Sequence, residues 1–135
     1  MAISPHFRLT SPEAANLLDG LVSVGLSQIR KQGIGKGQFP ILRGIQEGRV
    51  RYRRSDPNEH WQSWGELYSQ LTETGRAEGD CEDLSAAVVA ELLNNGIKAR
   101  TYVYQAHKRL YHVVVWTQRW GLIDPSRSAG MEGNG

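Results

Sequence analysis

Cys81 is the only cysteine among the 135 residues, and it opens a run able to form a helix, Gly79-Asp80-Cys81-Glu82-Asp83-Leu84 and onward to Val89. Asp80 is a good helix N-cap, and Glu82 and Asp83 fall in the first turn, where acids complement the helix dipole. A thiol in that turn lies among unpaired backbone N–H groups, which lower its proton affinity. His112 stands within a β-prone run, Tyr111-His112-Val113-Val114-Val115-Trp116, and Asp124 ends a further short run before Pro125. A thiol, an imidazole and a carboxylate can serve as nucleophile, base and orienting acid in attack on an amide carbonyl. Singly, each has an ordinary explanation: a structural cysteine, a satisfied core histidine, an aspartate in a turn. Together, in this order, they point to a triad.

The elements that must position these three are legible from periodicity. Leu84, Ala87, Val88, Glu91 and Leu92 form one helical stripe after Cys81, stopped by Asn94, Asn95 and Gly96. Three strands follow: 97–105, with Tyr102 and Tyr104 facing away from Ala99, Thr101 and Val103; 110–117; and 120–125. A turn near residues 118 and 119 would set His112 and Asp124 almost opposite each other, within hydrogen-bonding reach. The cysteine helix must then pack its N-terminus on that sheet.

Upstream, residues 1–10 read as an extended arm, and Ser11-Pro12-Glu13 starts a helix running to about Lys31, weakened by Gly20 and Gly25. Gly33 to Gln38 is glycine-rich and contains a lysine, but lacks the spacing of a phosphate loop and reads as a connection. Residues 48–55 alternate as a strand, with Val50 and Tyr52 inward and Arg49, Arg51 and Arg53 on a solvated face. Asp56-Pro57-Asn58 is a turn. A helix from about Glu59 to Leu71 carries Trp61, Trp64, Leu67, Tyr68 and Leu71, and one of its tryptophans could wall a cleft beside Cys81. The tail from Ser126 shows no element.

Length and composition match one soluble globular domain over 1–135: an arm and helix over 1–47, a catalytic core over about 48–127, and a flexible tail over 128–135. A net charge of +2 does not argue for nucleic acid, and the arginines near residue 50 rank last as such a surface. No apolar stretch approaches the roughly eighteen residues needed to cross a bilayer. The N-terminus lacks a signal-peptide layout, so a cytoplasmic protein is expected. One cysteine excludes an internal disulfide and any CxxC metal site.

Gly79-Asp80-Cys81-Glu82-Asp83-Leu84, Leu92-Leu93-Asn94-Asn95-Gly96-Ile97, Tyr111-His112-Val113-Val114 and Trp120-Gly121-Leu122-Ile123-Asp124-Pro125 resemble the transglutaminase-like cysteine peptidase superfamily. The Asp-Cys-Glu-Asp form is closest to the bacterial transglutaminase-like cysteine proteinases, and the likeness covers about residues 50–127. Val50 to Asp56, and Trp61 with Glu66, resemble that group's strand and tryptophan-containing helix; the longer segment from Glu66 to Gly79 and the short body depart from it.

The resemblance implies an α+β fold with a papain-like core, the cysteine helix packed on a small antiparallel sheet behind N-terminal helices. It implies Cys81 as nucleophile, His112 as general base and acid, and Asp124 as orienter. The activity it implies is amide-bond hydrolysis of a protein or peptide through a thioester. The oxyanion donors would be the Cys81 amide and a side chain from among Asn58, Trp61 and Gln62. Some relatives bind calcium through acids flanking the cysteine, positions matched here by Asp80 and Glu82; a bound cation would relieve the carboxylates' opposition to a thiolate. Acyl transfer to an amine, deamidation of glutamine, and a non-catalytic module of a phage particle are the competing expectations.

Overall fold

In a computed structural model, the structure describes residues 11–54, 60–107 and 110–132. The arm over 1–10, the turn Asp56-Pro57-Asn58 and the last three residues lie outside them. The chain order is α1 (Ser11–Lys31), α2 (Pro40–Gln46), β1 (Val50–Tyr52), α3 (Trp64–Thr74), β2 (Ala77–Gly79), α4 (Cys81–Asn94), β3 (Ala99–His107), β4 (Leu110–Thr117), β5 (Gly121–Ile123) and α5 (Pro125–Ser128). This is a mixed α+β protein, as the sequence pattern implied.

Helix α4 is the centre. Asp80 and Asp83 form a reciprocal capping box at its start, each side chain accepting the other's backbone N–H. Every residue from Asp83 to Leu92 is buried, on all sides rather than along the one expected stripe. That requires neighbours all around it, and α1, α2, α3 and the β3–β5 sheet all pack on it. The glycine expected to weaken α1 has a packing reason: a β-carbon on Gly25 would lie 3.1 Å from that of Trp64 and 3.2 Å from that of Ala90. Gly25 lets α1 approach α3 and α4 closely.

The helix expected from Glu59 begins instead at Trp64. Ser63 caps it, accepting the Glu66 N–H, while Glu66 answers the Ser63 N–H, and Gly75 at φ 81° ends it. Trp61 therefore precedes the helix rather than belonging to its stripe. Helix α2 was not expected. It starts at Pro40 and is held by Glu91 of α4, whose carboxylate accepts the Ile41 and Leu42 N–H groups at 2.7 and 3.0 Å.

The sheet is divided. β1 and β2 pair in parallel, Val50 with Ala77, a contact that short-range pattern cannot reveal. β3, β4 and β5 form a separate antiparallel sheet in that order. Tyr102 faces Val114, Tyr104 faces His112, and Arg100 and Leu122 flank Trp116, so these residues share its outer face. Val103, Val113 and Val115 turn to the helices. The β4–β5 pairing ends at Val115 with Ile123. Continuing that register sets Asp124 opposite Val114, so His112 and Asp124 are diagonal rather than opposite. Pro125, expected only to stop a strand, begins α5, with Asp124 as its cap. The tail beyond it is buried at Ala129 and Met131.

No helix among the described residues is long and apolar enough to cross a membrane.

Candidate active site around Cys81, His112 and Asp124

Asp124 is placed by two local demands. It caps α5, its Oδ1 accepting the Arg127 N–H at 3.2 Å, and its Oδ2 lies 2.9 Å from His112 Nε2. Arg127 Nε adds an ion pair at 3.4 Å. Partial burial opposes ionisation of Asp124, but the hydrogen bonds from His112 and the Arg127 amide, with the charges of both residues, hold its carboxyl below the ordinary value. His112 is buried, and its ring meets the Tyr104 ring edge-on, with centroids 5.6 Å apart. The diagonal pair thus makes the bond expected of it. A side-chain reach across one strand spacing is enough to close the register offset.

Cys81 arrives from the other direction. β5 stops before it can cover the end of β4, and the first turns of α4 take that edge. Ser85 Oγ, one turn further along α4, donates to the Val113 carbonyl at 3.1 Å, and the nearby Val113 N–H favours the Cys81 thiolate. The sulfur also packs in a small apolar cluster with Leu18, Trp61 and Val113. So the structure sets Cys81 in one cluster with the residue next to His112 in the chain, and bonds His112 to Asp124. Trp61 belongs to the same buried cluster as Cys81.

The electrostatics differ from the expectation for a helix-start thiol. The Cys81 thiol donates to Glu82 Oε2 at 3.3 Å. Its proton affinity is well above the ordinary value, first through burial, then through the charges of Glu82 and Asp80. The Val113 N–H works the other way and loses. A thiolate-favouring helix terminus needs unpaired N–H groups, and here the Asp80 carboxylate takes the Asp83 N–H. Glu82 is itself raised well above its usual range by burial and by the Asp80 carboxylate, to which it is hydrogen-bonded. At rest the thiol is protonated.

Tyr52, and Asp83 in a role beyond its place in the first turn, complete the surroundings. Burial, with the neighbouring Cys81, Asp80 and Glu82 charges, pushes the Tyr52 phenol up to about 12. Asp83, buried and pushed up to about 8 by burial and the Asp80 charge, latches the approach segment to the helix. Its Oδ1 accepts the Gln62 N–H at 2.7 Å, and its Oδ2 accepts the Gln62 side-chain amide at 3.2 Å and the Asp80 N–H at 3.1 Å. The position of Asp83 in the first turn announced an acid beside the helix dipole, but nothing local announced Gln62.

Of the oxyanion candidates, Gln62 directs its side-chain N–H groups at Asp83 and at the Glu78 carbonyl, 2.9 Å away. Trp61 is buried against the sulfur, and Asn58 lies outside the described residues. Asp80 and Glu82 are bonded to each other, to Cys81 and to the Asp83 N–H. No group of three or more His, Cys, Asp or Glu side chains able to hold a metal occurs among the described residues.

Fold and site together define a mixed α+β protein with a buried thiol at the N-terminus of its central helix and a histidine–aspartate pair on the adjoining sheet. The chain matches no protein-family model, no curated protein and no solved structure.

Proposed function

We propose that the protein is a cysteine-dependent amide hydrolase with a papain-like, transglutaminase-like core, acting on a protein or peptide. One observation carries this reading: His112 is oriented through Nε2 by Asp124 at 2.9 Å, and Cys81 lies in the same buried cluster as Val113, the next residue along β4. With Nε2 engaged, a proton exchanged with Cys81 passes through Nδ1. The sulfur attacks the carbonyl carbon as its proton moves to His112, and His112 returns that proton to the departing amine. Water then adds to the thioester with His112 as base, releasing the acid and restoring the thiol. Because the resting thiol is neutral, its deprotonation is coupled to substrate arrival. An amine in place of water would give acyl transfer by the same steps. Six to eight oxygens surround a bound calcium ion; Asp80 and Glu82 supply two carboxylates, and no step is assigned to a cation.

A second reading, a non-catalytic binding module, is favoured by the same buried, protonated thiol held on Glu82. The pH dependence of Cys81 alkylation by iodoacetamide, followed by intact mass, separates the two. For a hydrolase, His112→Ala and Asp124→Asn slow alkylation at neutral pH and move its onset upward. Identical profiles for the wild type and both variants would mean that His112 does not serve the thiol, and the binding module would stand.

A further inference from the structure

Four of the six large apolar side chains exposed among the described residues lie on or beside the outer face of the β3–β5 sheet. Leu122, Trp120, Tyr102 and Tyr104 are exposed by 59, 52, 42 and 37 %. Tyr102, Tyr104, Leu122 and Trp116 share this face with His112, and Trp120 stands in the turn at its end. We infer that this face docks an extended polypeptide segment bearing both acidic and apolar side chains, independently of Cys81 chemistry.

Charge selects that partner. Arg100 lies over the Trp116 ring at 5.6 Å, and Arg119 over the Trp120 ring at 5.5 Å. A guanidinium stacked on an indole keeps its N–H edge outward, where a carboxylate can take two bonds at once. The acid at this end of the sheet, Asp124, is already engaged by His112 and Arg127. The field above the apolar surface is therefore cationic, and its complement is an acidic, apolar chain. Aromatic side chains with arginines also suit single-stranded nucleic acid, but each of these tryptophans already has a guanidinium over its ring. An extended shape suits the rows of side chains that alternate along β3 and β4 on this face.

The test uses the full chain and fluorescence anisotropy with three labelled probes: a peptide alternating glutamate with leucine, its counterpart with lysine for glutamate, and oligothymidylate. The acidic peptide should bind at least about tenfold more tightly than the other two. Leu122→Ser and Arg100→Ala, both at exposed positions, should each weaken it by about threefold or more. Cys81→Ala should bind as the wild type does, so loss of catalysis and loss of docking are read separately. Equal affinity for acidic and basic peptides, preference for the oligonucleotide, no binding of any probe, or insensitivity to both substitutions in chains that keep the wild-type circular dichroism would each overturn the inference. So would concentration-dependent self-association lost in Leu122→Ser, which would make a second copy the occupant.

Discussion

Glu91 offers the sharpest test of the physical reasoning. It is 1 % exposed in the middle of α4, and its carboxylate collects three N–H donors: Ile41 at 2.7 Å, Leu42 at 3.0 Å and the Trp64 indole at 2.8 Å. Burial outweighs those donors, and the carboxyl is pushed up from 4.5 to about 7. A group that binds its proton more tightly in the folded chain stabilises the fold while protonated. That contribution is complete below about pH 4.5 and is lost as the pH rises through about 7. At roughly 1.4 kcal/mol for each tenfold change in proton affinity, it amounts to about 3 kcal/mol.

Glu91→Gln keeps the shape and one acceptor oxygen but turns an NH2 group toward at least one of the three donors. A buried donor left without an acceptor costs about 1–3 kcal/mol. The variant should therefore be less stable than the wild type by about that amount near pH 5. The deficit should shrink by about pH 8, because only the wild type loses stability from this group. Urea denaturation at a series of pH values, followed by tryptophan fluorescence with circular dichroism as a second probe, measures it. A deficit that stays constant or grows with pH would mean that the donors keep Glu91 ionised throughout, and would refute the argument.

Three further outcomes are expected. Glu82→Gln removes both a neighbouring charge and the acceptor of the Cys81 thiol proton, so the thiolate absorbance of Cys81 should appear at lower pH than in the wild type; an unchanged midpoint would leave burial and the Asp80 charge as the causes. Asp83→Ala strips acceptors from the Gln62 N–H, the Gln62 side-chain amide and the Asp80 N–H, and should cost about 3 kcal/mol or more in urea denaturation, an effect under about 1 kcal/mol ruling out the latch. Gly20 and Gly25 should respond oppositely: a β-carbon at exposed Gly20 meets nothing within 4 Å, so Gly20→Ala should stabilise by about 0.5–1 kcal/mol, whereas Gly25→Val should destabilise by about 1–3 kcal/mol, since it drives a branched side chain against Trp64 and Ala90. Thermal denaturation of the two variants distinguishes them.

The parts of the site legible in the sequence were those made by neighbours in the chain. Asp80 caps α4, as expected of an aspartate at that position. The outward position of Tyr102 and Tyr104, and the approach of His112 to Asp124, follow from strand alternation and a short hairpin. The start of α3 was misplaced because Trp61 fits a helical stripe equally well, and only the Ser63 cap decides against it. Helix α2 was missed because seven residues are too few for periodicity to register, and its anchor, Glu91, is 50 positions away from Ile41.

By itself, then, the sequence determined the mixed α+β class, the three-stranded sheet, and which thiol, imidazole and carboxylate these elements carry. Those features rest on caps, turns and alternation, which act over three or four residues or across one hairpin. Tertiary structure decided the rest: the parallel pairing of β1 with β2, the Gln62–Asp83 latch, the seating of α4 on the edge that β5 leaves open, and the protonated state of Cys81. Proton affinity depends on burial and on charges from every side, and for Cys81 those come from packing that no local pattern encodes.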